Sequence, residues 1–465
     1  MAKPPRAHAT SDSHPQGVTP MSSPAPSRLP QAAPLSAGLC NASMLLYILW
    51  LLLPAVQTTG GALAGAGAVA LFGLGLLLDA PYLKAHWPRL LLQVLLAAAL
   101  PLALRFFLRR GTDQFWGYYA QQGMFWFPLL FCAYARHRGD PRLWRWVRGA
   151  LVFALVLTTL TTLGWLIQGM LRGDRVYAYA RSLGSGEPGR EAYLKELMLR
   201  NIGGYDFIYA SALSLPLTCY AMGKSRGWKR VGFAASCALQ YGMIALSQYT
   251  YATIFATALL GMEALALLLR LAAARLFKRP LGVMASLLWT LPFLAGIFLA
   301  RVPLVSWAAS LCHQLGLENF SISLSQLLSA MTAGLADSGS RLEYYRLPLE
   351  GIAASPLLGA LPGSDAPLSK HSDLLDLLSA LGLLGAALFL TLVWLLGRGS
   401  LKGLAQSAAK PHLLLQGAAL LAFCLLATVF YSREIPLVLS LGAAFAILGA
   451  SPLSPLPGAN EAPPS

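Results

Sequence analysis

The chain has 465 residues, 56% of them hydrophobic and only 12% charged, with a net charge of +16 at pH 7. Soluble domains carry about 25% charged residues, so this composition excludes a sizeable soluble domain. Repeated apolar runs of about 20 residues point instead to an all-α, polytopic transmembrane helical bundle.

Residues 1–40 are rich in Pro, Ser and Ala and lack an early apolar core. They read as a disordered cytoplasmic tail rather than a cleaved signal peptide, with Met21 as a second candidate start. About twelve spans follow, each near the length a bilayer requires. Their approximate limits are 41–58, 61–79, 89–108, 116–135, 149–171, 206–222, 231–248, 250–270, 281–300, 379–397, 413–431 and 433–450. The first nine form a bundle over 41–300 with a smaller outward loop at 172–205. A large loop over 301–378 separates them from spans 10–12 over 379–450, and 451–465 is a second tail. The second span and its leading edge hold Gly60, Gly61, Gly65, Gly67, Gly73 and Gly75, which reads as close helix packing in lipid.

Orientation follows from the basic connections. Arg136, Arg138, Arg142, Arg145 and Arg148 form one; Lys224, Arg226, Lys229 and Arg230 the next; Arg275, Lys278 and Arg279 a third; Arg398, Lys402 and Lys410 a fourth. All four fall on one side, which the positive-inside rule makes cytoplasmic. Arg105, Arg109 and Arg110 then fall outside, against the rule. Both termini are cytoplasmic on this reading, and the loops at 172–205 and 301–378 face the opposite side, which at the inner membrane of a Gram-negative cell is the periplasm. The clustering of basic residues in short loops argues for a lipid bilayer and against nucleic acid as the partner. The six cysteines show no CxxC spacing, and no acidic cluster has metal-ligand spacing, so neither a disulfide framework nor a metal site is expected.

The large outward loop is more than a linker. Ile322 to Leu335 and Arg341 to Ala354 carry apolar residues at helical spacing and read as short amphipathic helices on the membrane surface. Asp337-Ser338-Gly339-Ser340 is a turn between them, and Gly359 to Lys370 is a second breaker run. The chain re-enters the bilayer as a helix starting near Ser372, with Asp373 and Asp376 suited to its positive end.

His371 stands at that helix mouth. It reads either as a surface histidine near a cap or as a general base, since an unperturbed imidazole titrates near about 6.5. Arg341 is either an interfacial snorkelling residue or a bidentate clamp for phosphate oxygens. Arg200 and Arg301, at the outward edges of spans six and nine, are interface anchors or further anion ligands. Asp373 and Tyr345 are candidate supporting residues. Glu343 has Arg346 within i,i+3 reach. Glu263 is the one acid well inside an expected span, and Arg270 lies two turns away as a structural partner.

The segments Ser338-Gly339-Ser340-Arg341, Pro356-Leu357-Leu358-Gly359, His371-Ser372-Asp373-Leu374-Leu375 and Gly382-Leu383-Leu384-Gly385 occur in that order over about 50 residues. In these the chain resembles the bacterial O-antigen ligase and O-antigen polymerase superfamily of polytopic glycosyltransferases. Arg200-Asn201-Ile202-Gly203-Gly204 resembles the family's arginine-then-glycine pattern before a span, and Arg301 matches a further basic position. Ser372-Asp373 departs from the family, where many ligases carry Asn after the motif histidine.

The resemblance implies transfer of a glycan from undecaprenyl diphosphate to a sugar hydroxyl at the periplasmic face. The acceptor would be lipid A core or a growing glycan, in lipopolysaccharide or surface polysaccharide biosynthesis. It implies inversion at the anomeric centre without a metal or other cofactor. His371 and Arg341 would be catalytic, with Arg200, Arg301 and Arg341 on the pyrophosphate. Two other readings use the same layout: a flippase for lipid-linked glycan, and a protein O-oligosaccharyltransferase.

Overall fold

The computed structural model describes residues 34–88, 90–91, 126–138, 141–172, 190–247, 249–278, 281–318, 320–322, 324–325, 328, 341–359, 371–401, 403–427, 429 and 432–448. Among these no residue is in a strand. Most of the span expected at 89–108, part of that at 116–135, residues 1–33 of the expected 1–40 tail, the tail at 451–465, most of 322–335, the 337–340 turn and the breaker run 360–370 lie outside them; residues 34–40 of the expected tail are helical instead.

The main helices, in chain order, are α1 (Pro34–Leu52), α2 (Pro54–Leu78), α3 (Trp126–Arg138), α4 (Pro141–Leu171), α5 (Arg190–Leu199), α6 (Tyr205–Lys224), α7 (Trp228–Leu246) and α8 (Thr250–Phe277). They continue as α9 (Val283–Leu288), α10 (Leu291–Leu299), α11 (Arg301–Gln314), α12 (Arg341–Ala354), α13 (Asp373–Leu401), α14 (Lys410–Leu426) and α15 (Glu434–Leu448). Among the described residues, five stretches are long and apolar enough to cross a membrane: Leu35–Leu52, Pro54–Leu78, Trp144–Leu171, Tyr251–Phe277 and Asp373–Leu395. Val283–Phe293, Lys410–Leu426 and Glu434–Ile447 are shorter apolar segments beside them. The single span expected at 281–300 is instead two helices with a turn at 289–290. Pro292 explains the break, because its nitrogen cannot donate to the preceding turn.

Small residues set how α1 and α2 meet. A side-chain carbon at Gly65 would fall 2.6 Å from the Trp50 ring, and one at Gly75 2.6 Å from Cys40 Sγ. Ser43 Oγ donates to Ala68 O at 2.6 Å and Ser36 Oγ to Gly75 O at 2.8 Å, tying the middle and the open end of the hairpin. The glycine-rich stripe therefore packs closely at these two positions, while Gly73 meets nothing. Tyr47, Phe72, Phe127 and Tyr134 fill the space between α1, α2 and α3, with edge-on ring pairs 4.5–5.9 Å apart.

Helix α6 runs through the centre, and every residue from Phe207 to Pro216 is buried. It packs against α7, α8, α14 and α15. Two ends of the bundle carry distinct polar groups. At one, buried Asp79 pairs with Arg138, accepts from Tyr134 Oη at 3.1 Å and caps the following helical turn through Tyr82 N at 3.2 Å. At the other lie the start of α6, the start of α13 and the connection from α14 to α15.

Helix α13 breaks its own ladder at Gly382, where φ is 60° and ψ −177°. The segment after α12 enters that break. Leu383 N donates to Pro356 O at 2.9 Å and Leu384 N to Leu357 O at 3.1 Å. Gly359, at φ 73°, lies against the same turn, and a side-chain carbon there would sit 2.5 Å from Ala380 O. The two Leu-Leu-Gly stretches of the sequence thus meet backbone to backbone, and the freed amides of the kink are satisfied by the incoming strand of chain.

Candidate functional site

The site is built on the end of the bundle where α13 begins. Ser372 Oγ accepts from Leu375 N at 3.3 Å, so Ser372 is the N-cap expected from the sequence. Its hydroxyl also donates to Cys424 O at 3.4 Å. Asp373 is buried, and its Oδ2 accepts from Val429 N just past α14. The sequence marks Asp373 as a helix-dipole partner; the fold also makes it the anchor of the α14–α15 connection. With Ser372 and Asp373 both buried, His371 is left exposed immediately outside the helix.

Replacing Asp373 by Ala strands a buried amide, so Asp373→Ala should destabilise the chain by about 1–3 kcal/mol. Asp373→Asn keeps an accepting oxygen and should retain most of that stability. Thermal unfolding of the two purified variants checks this; equal melting temperatures would remove the anchoring role.

Helix α12 lies across the same end. Tyr345 Oη donates to Leu426 O at 3.3 Å, and the far end of α12 leads into the Gly359–Gly382 contact. Arg341 is the first residue of α12, about one turn or 6 Å along the axis from Tyr345. Its side chain, like those of Arg301 at the head of α11 and of Glu343, lies outside the described residues. Arg346 Nε donates to Glu350 Oε1 at 2.5 Å on the exposed face of α12.

The 200–204 turn is fixed from beneath. Asn201 takes the left-handed conformation at φ 60°. Its Nδ2 donates to Thr158 Oγ1 at 3.1 Å, Thr161 Oγ1 donates to Asn201 O at 2.5 Å, and Gly203 N donates to Thr162 Oγ1 at 2.8 Å. Three threonines of α4 therefore hold the turn that presents Arg200. The Arg200 side chain is 62% exposed and pairs with Glu196. An exposed i,i+4 pair is worth about 0–1 kcal/mol, so a phosphate group can displace Glu196 at little cost.

Two acids that sequence reading passed over sit beside this turn. Asp206 opens α6 and Glu434 opens α15, and their carboxylates are near enough to interact, with Arg433 attracting both. Glu434 Oε2 accepts from Ser432 Oγ at 3.2 Å and from Arg433 N at 3.0 Å. The Arg433 guanidinium lies 5.6 Å from the centre of the Trp50 ring. Tyr205, Tyr209, Tyr249 and Phe423 form an adjoining ring cluster, with Tyr205 Oη donating to Tyr209 Oη at 3.2 Å. The available signal was an acid at the first turn of two otherwise apolar helices; only their packing shows that the two acids are neighbours.

Glu263 is not held by Arg270. Its Oε1 lies 2.6 Å from His412 Nδ1, and both side chains are about one-tenth exposed. The partner is 149 residues distant in sequence, on α14. Among the described residues, no group of three or more His, Cys, Asp or Glu side chains is arranged to hold a metal ion.

The structure thus brings His371, Asp373, Tyr345 and the head of α12 to one end of the bundle. No protein-family model and no curated protein sequence matches the chain.

Proposed function

We propose that this chain is a membrane glycosyltransferase that moves a glycan from undecaprenyl diphosphate to a hydroxyl acceptor at the periplasmic face. The observation that carries the reading is the interlock of the resembling segments. Pro356–Gly359 is tied to Gly382–Gly385 by Leu383 N to Pro356 O and Leu384 N to Leu357 O, and His371–Asp373 stands at the start of the helix that carries Gly382. They form one anchored unit with an exposed imidazole at its mouth. The lipid bilayer is the setting that the long apolar helices require.

In this reading the donor's pyrophosphate leaves as the new glycosidic bond forms. Charge develops on the leaving oxygens and needs fixed cations. Arg200, Arg301 and Arg341 supply them, and the amides at the start of α13 add donors to the same anion. His371 takes the proton of the attacking hydroxyl. The partly exposed Tyr205 and Tyr249 rings and Asp206 provide aromatic faces and an acceptor of the kind that hold a sugar's hydroxyls.

The test is reconstitution of the purified chain with a lipid-linked donor and competing acceptors: lipid A core, free glycan and a protein. The product identifies ligase, polymerase or protein glycosyltransferase, and absence of any new glycosidic bond would sink the reading. Arg341→Lys should lower transfer by about 10²-fold, because a point charge replaces the fork that grips phosphate in two places. Full activity with Lys would remove bidentate clamping.

One observation favours the flippase reading: Glu263 and His412 form an ionisable pair deep between α8 and α14, the type of group transporters use. Movement of lipid-linked glycan across vesicles without bond formation would establish it.

A further inference from the structure

Cys219 on α6 and Cys237 on α7 face each other with their sulfur atoms 3.9 Å apart. Both are partly buried on neighbouring helices, whereas Cys40, Cys132 and Cys424 are buried. A disulfide needs about 2.05 Å between sulfurs, so closure requires an approach of roughly 2 Å. The surroundings select the oxidant. Both thiols lie among the apolar residues of α6 and α7, and burying a charged oxidant such as glutathione disulfide there is costly. A neutral oxidant dissolved in the apolar phase meets no such barrier.

We propose that Cys219 and Cys237 are a dithiol modification site, closed to a disulfide by a lipid-soluble two-electron acceptor of the quinone class. Two S–H bonds break and one S–S bond forms. The two electrons and two protons pass to the quinone oxygens, giving the quinol. The product is a covalent tie between α6 and α7, and α6 is the helix whose first turn carries Tyr205 and Asp206.

The full chain in membrane vesicles is treated with duroquinone, denatured in detergent, and its free thiols counted by the mobility shift from a polyethylene-glycol maleimide. The chain carries six cysteines. Six additions are expected before oxidation, two fewer after it, and six again after dithiothreitol, with mass spectrometry identifying the 219–237 link. Cys219→Ser and Cys237→Ser, or the Ala variants if Ser lowers the yield, should show no change in count on oxidation. A full count after both duroquinone and copper phenanthroline would overturn the site. Closure with copper phenanthroline alone would overturn the assigned oxidant class, and loss of two thiols in the Cys219→Ser variant would place the disulfide elsewhere.

Discussion

His371→Ala is expected to lower glycan transfer by about 10²–10⁴-fold while leaving thermal stability within about 0.5 kcal/mol of the parent. The two halves of that expectation come from different parts of the structure. The ring is exposed and precedes the helix, whereas Ser372 and Asp373 hold the turn through bonds to Leu375, Cys424 and Val429. Removing the imidazole therefore empties no core. The activity loss should fall on kcat more than KM, because proton removal from the acceptor belongs to the transition state and contributes little to holding the donor. His371→Gln separates two roles. Gln can orient a hydroxyl but cannot take its proton at neutral pH, so a base role predicts that Gln is as inactive as Ala. An orienting role predicts partial recovery with Gln. Initial rates with a lipid-linked donor, measured on protein of unchanged melting temperature, decide between them, and parental rates in both variants would remove His371 from the chemistry.

Local signals were legible where a residue acts within its own turn. The Ser-Asp-Leu-Leu-Asp run announced the start of α13, and the apolar spacing from Arg341 to Ala354 gave α12 with the bounds the structure has. Residues 281–300 read as one span on apolar composition, and two helices form there because Pro292 interrupts the ladder. Partnerships across the bundle were not legible. Glu263 had Arg270 within helical reach, and nothing in the sequence near it points to His412, 149 residues on. Asp206 and Glu434 drew no reading at all, because the packing of α6 on α15 that makes them neighbours leaves no mark in either segment. Gly359 and Gly382 are an intermediate case. Both belong to segments that the sequence singles out, but the reason for glycine at both positions is a backbone approach that only the fold displays.

That approach sets the second large effect: Gly382→Ala is expected to destabilise the chain by about 2–6 kcal/mol and to lower the yield of monodisperse protein in detergent. Two costs combine. At φ 60° and ψ −177° the backbone occupies a region essentially reserved for glycine, worth about 1–3 kcal/mol for any other residue. A side-chain carbon would also lie 2.5 Å from the Leu357 carbonyl carbon, and forced overlap of this kind costs about 1–3 kcal/mol. The flexible end of a side chain could move aside, but here the obstacle is backbone already committed to Leu383 and Leu384. Two other glycines separate the terms. Gly61 has φ 52° with open space around it, so Gly61→Ala carries only the conformational cost; Gly73 has neither problem, and Gly73→Ala should be neutral or slightly stabilising. Melting temperatures should therefore fall in the order Gly73→Ala, Gly61→Ala, Gly382→Ala. Gly359→Ala should match Gly382→Ala, and because both act on one contact the double variant should lose less than the sum of the two. If Gly382→Ala proved no worse than Gly61→Ala, backbone strain alone would account for the kink. The tie between the segment after α12 and α13 would then not be what holds the His371 end of the bundle together.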